Sequence, residues 1–149
     1  MASPSALHTL IDLASKESDE SAKRLGMTLR ISEDAEQKLN LLLQYRDDYA
    51  MRCQSNLAEG ISTTHFNNFR EFMYKLEQAI AGQQKVLSDA QDRTLQARAA
   101  WLACEQKKMS FVTLAARADK ETARLELWRD QKQNDEYAAR RTLNKPNPS

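Results

Sequence analysis

The feature that most constrains this chain is an apolar repeat on alternating steps of three and four residues, from Phe66 to Leu125. It runs through Phe66, Phe69, Met73, Leu76, Ile80, Gln83, Leu87, Ala90, Thr94, Ala97, Trp101, Cys104, Lys108, Phe111, Ala115, Ala118, Thr122 and Leu125. Gln83, Thr94 and Lys108 are polar, Thr122 is borderline, and no proline interrupts the run. A seven-residue repeat sustained this long predicts a supercoiled helix with a partner along its seam. At 1.5 Å per residue the stretch would extend about 90 Å.

Composition points the same way. Three glycines and three prolines in 149 residues leave few turns, so the elements should be few and long. The dominant residues are good helix formers, which predicts an almost all-helical chain. Balanced charge, 22 basic against 21 acidic residues, argues against a nucleic-acid binder. Residues 1–6 carry no basic leader, and no segment approaches the apolar length of a membrane span. The expectation is a soluble, intracellular protein. Cys53 and Cys104 lack motif spacing and read as reduced seam residues.

Taken in order, Ser3-Pro4 reads as an N-cap followed by the first helical position. The helical pattern then holds over about 4–58, with Leu7, Leu10, Ile11 and Ala14 on one face and Leu25, Leu29, Ala35, Leu39, Leu42 and Leu43 further on. Ser18 and Ser21 fall where leucine would serve better, and Gly26 should cost about 1 kcal/mol against alanine. Asp12–Lys16, Asp19–Lys23, Glu20–Arg24 and Glu136–Arg140 have the spacing of favourable ion pairs. Gly60 suits a left-handed helix end, and Ser62 or Thr63 suits the next N-cap. The turn is expected at about 59–63, the second helix over about 64–141 and a disordered tail over 142–149.

So short a connector implies antiparallel neighbours. The expectation is one domain over 1–149: an all-α, long antiparallel two-helix coiled-coil hairpin with a C-terminal helical overhang. Positions summing to about 122–123 should face each other, which sets Leu57 near Phe66 and Leu43 near Ile80. Cys53 and Cys104 would then be about 50 Å out of reach of a disulfide.

No arrangement for chemistry stands out. There is no glycine-rich phosphate loop, His8 and His65 cannot share a metal, and the acidic pairs Glu33–Asp34 and Asp47–Asp48 belong to a solvated face. No cofactor, metal or catalytic residue is expected, and the chain does not read as an enzyme. Two features exceed what a seam needs. Leu39 and Leu43 can fill the first helix's seam, which leaves Leu42, Tyr45 and Tyr49 on an adjoining face, with Phe72 and Ala79 just off the seam of the second. Either they widen the seam or they form a partner-docking stripe. Leu125, Leu127, Trp128 and Tyr137 lie beyond the reach of the first helix, as a frayed end or a covered one.

On these residues the chain resembles the FliJ family of flagellar type III export proteins. The resemblance runs ungapped from Ala6-Leu7, Leu10 and Asp12-Leu13-Ala14, through Ala35-Glu36, Leu39, Leu42, Tyr45 and Tyr49, then Gly60-Ile61, Phe72, Leu76-Glu77 and Ala79-Ile80, to Asp130-Gln131-Lys132 and Asp135-Glu136. It implies a hairpin similar to the central-stalk subunit of rotary ATPases. The end holding both termini, including Leu125 and Trp128, would seat in the ring of the flagellar export ATPase. The turn-proximal surface would contact the cytoplasmic part of the export-gate membrane protein through Leu42, Tyr45, Tyr49, Phe72, Leu76 and Ala79. The sequence departs from the family at Lys38 and Gln83. Export chaperones are further implied partners, at the cytoplasmic face of the inner membrane, with no nucleic acid and no small-molecule substrate. A self-associating coiled-coil scaffold and a general secretion chaperone are the rival readings.

Overall fold

The computed structural model describes residues 4–144. Two helices account for nearly all of them, α1 over Pro4–Glu59 and α2 over Thr63–Leu143, packed as an antiparallel hairpin. The Ser3 cap and residues 145–149 of the expected tail lie outside the described residues. Helix α2 continues to Leu143 rather than stopping at 141, and closes with the Asn144 N–H donating to the Arg140 carbonyl at 3.1 Å.

The connector is built as its residue types dictate. Gly60 takes φ +87°, and its N–H donates to the Leu57 carbonyl at 3.3 Å, closing α1. Ser62 caps α2: its Oγ accepts the His65 N–H at 3.2 Å, and its carbonyl accepts the Phe66 N–H at 3.1 Å. Ile61 and Phe66 hold the flanking positions of a hydrophobic staple, both half-buried.

By packing, the chain divides into two compact units, one made of Ser18–Ala103 and the other of the described parts of Met1–Glu17 and Cys104–Ser149. In the first, the half-buried and buried positions of α1 step by three and four through Ser18, Ser21, Leu25, Thr28, Ser32, Ala35, Leu39, Leu42, Arg46, Tyr49 and Cys53. Those of α2 are the expected ones from Phe66 to Trp101, and every other residue of that stretch of α2 is exposed. Cross-helix contacts scatter about the expected register, as knobs in four-residue holes must. Arg46 Nη1 lies 3.6 Å from Glu77, Tyr49 stacks on Phe69, and Gln83 Nε2 donates to the Ala35 carbonyl at 3.0 Å. In the second unit Leu7, Ile11 and Ala14 meet the stretch of Cys104, Lys108, Phe111, Ala115 and Ala118, and Lys107 Nζ reaches Glu17 at 3.5 Å. There the seam ends: from Thr122 to Asn144 every residue is exposed.

Three expectations need correction. Leu42 and Tyr49, not Leu43, continue the frame from Leu39, although Leu43 is also half-buried. Arg46 holds the next seam position, and a charged residue there hid the frame. Leu57 is exposed, because the α1 seam stops at Cys53 and Leu57 is out of step with it. The four expected ion pairs on exposed helix faces are not formed; Glu71–Lys75 at 3.9 Å and Glu121–Arg124 at 2.7 Å are. Long exposed side chains gain too little from such pairs to be held in one geometry. Ser18 and Ser21 are only 2% and 5% exposed, so they are true seam residues. The register places them at the level of the half-buried Trp101. No buried side-chain nitrogen or oxygen among the described residues lacks a hydrogen-bond partner.

The three glycines separate backbone from packing effects, since an added Cβ meets nothing within 4 Å at Gly26, Gly60 or Gly82. Gly60→Ala should cost about 1–2 kcal/mol for the left-handed backbone alone. Gly26→Ala and Gly82→Ala, inside helices, should each stabilise by up to about 1 kcal/mol. Urea melts followed by circular dichroism give both signs directly.

Candidate partner-binding surfaces

The turn-proximal surface is built on the seam. Tyr49 stacks on Phe69 with ring centroids 5.1 Å apart and planes at 7°, and meets Phe72 at 4.5 Å and 32°. Such pairs are worth about 0.5–1.5 kcal/mol beyond the area they bury. Tyr49 is therefore half structural, and it holds Phe72 in place. Tyr45, one turn earlier on α1, turns outward and is 61% exposed; Phe72 is 39% exposed, and Ala79 is exposed too. Tyr45, Asp48, Tyr49 and Arg52 line a shallow dent of about 70 Å³.

The six expected gate-facing residues thus separate by depth. Tyr45, Phe72 and Ala79 present open surface. Leu42 and Tyr49 are half-buried seam residues with one edge accessible. Leu76 is 8% exposed and sits in the seam. It supports the surface from beneath instead of offering one. Gln83, one of the two departures from the family pattern, is turned across the seam into the bond with Ala35. Lys38, the other, is exposed beside the aromatic face. Ile31 and Val86 belong to no motif in the sequence, yet both are exposed on this side. The signal was there: Ile31 lies two heptads before Tyr45, and Val86 one heptad after Ala79.

The terminal surface lies on α2 past Ala118. Leu125, Leu127, Trp128 and Tyr137 are all exposed, as expected for residues beyond the seam. Lys132 Nζ lies over the Trp128 ring, 5.3 Å from its centroid, a cation–π contact one turn on. Arg124 holds Glu121 with two bonds, Nε to Oε2 at 3.2 Å and Nη2 to Oε1 at 2.7 Å. The hydrogen bonds and then the charge of Arg124 lower the Glu121 carboxyl below its usual range.

Neither surface is a cavity for chemistry. Among the described residues no group of three His, Cys, Asp or Glu is placed to hold a metal ion, and Cys53 and Cys104 are free thiols. No helix among them is long and apolar enough to cross a membrane. The fold defines an all-α coiled-coil helical hairpin. The family model described as Flagellar FliJ protein matches residues 3–147. The Flagellar FliJ proteins of Salmonella typhi and Escherichia coli strain K12 are each 32% identical over 146 residues, covering 98% of this chain and 99% of the relative. The chain belongs to the FliJ family.

Two measurements test these assignments. Tyr49→Ala should destabilise the hairpin by about 2 kcal/mol through loss of two ring contacts, whereas Tyr45→Ala should stay within about 0.5 kcal/mol. In an NMR titration the Glu121 carboxyl should titrate below the usual carboxylate range and return to it in Arg124→Ala. The sign follows: the folded carboxyl is lowered, so its stabilising contribution is present at neutral pH and is lost as pH falls through that titration.

Proposed function

We propose that the chain is a component of the flagellar type III protein export apparatus, coupling the export ATPase ring to the transmembrane export gate and exchanging export chaperones. The observation that carries this is family membership over nearly the whole chain. Its role is mechanical and regulatory, exercised from the cytoplasmic face of the inner membrane. The geometry supports it with two separate apolar surfaces, one beside the turn and one past the end of the seam.

Tyr45, Phe72 and Ala79 dock on the cytoplasmic part of the gate, with the accessible edges of Leu42 and Tyr49 and with Leu76 as support. Leu125 and Trp128 seat the terminal end in the ATPase ring, where a partner's apolar wall would replace the water around an indole now 58% exposed. The rival reading as a self-associating scaffold draws on the same exposed tryptophan, and it requires a stable dimer of the isolated chain.

Pulldown with the cytoplasmic fragment of the gate and with the export ATPase tests the coupler. Tyr45→Ala should weaken gate capture and leave ATPase capture unchanged, and Trp128→Ala should do the reverse. Since neither residue holds the hairpin together, thermal melts of both variants should match the parent. Capture of both partners undiminished in both variants would remove these residues from the interfaces, and a concentration-independent dimer in sedimentation would favour the scaffold.

A further inference from the structure

In the unit Ser18–Ala103 the two flanks of the seam differ in the sign of their charges. In heptad terms, with seam positions a and d, the e positions of α2 are Arg70, Glu77, Gln84, Gln91 and Arg98 and those of α1 are Ala22, Leu29, Glu36, Leu43 and Ala50, so that flank carries both acidic and basic residues. The g positions of α2 on the other flank are Phe72, Ala79, Val86, Arg93 and Ala100, exposed and mostly apolar. In an antiparallel pair the g columns of the two helices border the same side of the seam. That of α1 reads Arg24, Ile31, Lys38, Tyr45 and Arg52, every residue exposed. Each charged residue in these two g columns is basic: Arg24, Lys38, Arg52 and Arg93. Among the described residues none of the four forms an ion pair. The apolar residues between them recur at heptad spacing on both helices, which suits a third helix lying along the groove better than a loop or a globular patch.

We propose that this groove binds an acidic amphipathic helix of a partner protein, with Ile31 and Val86 extending the contact beyond the aromatic face at Tyr45 and Phe72. The occupant's apolar residues lie on Ile31, Tyr45, Phe72, Ala79 and Val86, and its flanking carboxylates meet Arg24, Lys38, Arg52 and Arg93. The proposal rests on the reading of this face as the gate-binding surface and adds the chemistry of what it binds.

The test is fluorescence anisotropy of the full chain with two labelled synthetic helical peptides of about 20 residues, about 30 Å long. Both carry leucine on one heptad stripe; glutamate flanks the stripe in one and lysine in the other. The glutamate peptide should bind about ten-fold tighter at low ionic strength, and the margin should shrink as salt screens the charges. Ile31→Gln with Val86→Gln should weaken it, and Lys38→Glu with Arg52→Glu should reverse the preference between peptides. All four positions are exposed, so circular dichroism of these variants should match the parent. Equal affinities, preference for the lysine peptide, or affinity unmoved by Ile31→Gln with Val86→Gln would overturn the proposal. So would a dimer of the chain that Ile31→Gln with Val86→Gln abolishes, since a second copy would then occupy the groove. The gate fragment separates the two readings. If the peptides discriminate but the fragment does not bind, the groove's chemistry stands and the gate assignment falls. If the fragment binds and Ile31→Gln with Val86→Gln leaves its affinity unchanged, the gate assignment stands and the extended groove falls.

Discussion

Everything in this molecule depends on one steric requirement: a stripe that returns every three and four residues on one helix must be covered by a matching stripe on another. Neither helix of the hairpin could hold its apolar side chains out of water alone, because an isolated helix gains little beyond its propensity. The seam meets the requirement with unlike materials. Aromatic rings fill it beside the turn, small and hydroxylated residues fill its middle, and Leu7, Ile11 and Phe111 fill it near the termini. Where the middle is polar, the side chains are satisfied in two ways. Thr28 and Thr94 donate back to Leu25 and Ala90 on their own helices, and Gln83 crosses to Ala35.

Much of this was legible in the sequence because the heptad has a fixed period and the turn uses residues with strong backbone preferences. On α2 the expected seam from Phe66 to Ala118 is the observed one, residue for residue. Thr122 and Leu125 keep the period but are exposed; the position of the turn and the length of the first helix, not the period, placed them in the overhang. On α1 the expected frame failed at Leu43, where Arg46 breaks the apolar rhythm and a neighbouring leucine offers a false step. The candidate surface was legible in outline for a related reason. Tyr45 and Phe72 stood out as residues the seam did not need, whereas Ile31 and Val86 are ordinary apolar residues until both helices are in place. Spacing also separated depth within the expected gate residues: Leu76 lies on the seam repeat and is 8% exposed, whereas Tyr45 lies off it and is 61% exposed.

On the proposed reading, recognition and stability are divided between columns of the same helices. In the unit Ser18–Ala103 the a and d columns hold the hairpin, and the g columns carry exposed side chains that the seam does not need. Tyr49 joins the two roles, since its ring packs between Phe69 and Phe72 while its edge borders the dent beside Tyr45. A partner on that flank would touch a surface whose shape is set by rings already stacked, so little side-chain freedom would be lost on binding.

The tight connector at Gly60–Ser62 also orders events in time. Contacts beside it join residues close in the chain, whereas Gln83 meets Ala35 across 48 residues and Lys107 meets Glu17 across 90. The loop-closure entropy of a contact formed on its own grows with that separation, so the hairpin should zip from the turn outward and come apart in the opposite order. The end that holds both termini is then the last to form and the first to open. A partner gripping that end would act late in assembly, on a hairpin whose turn-proximal face is already complete.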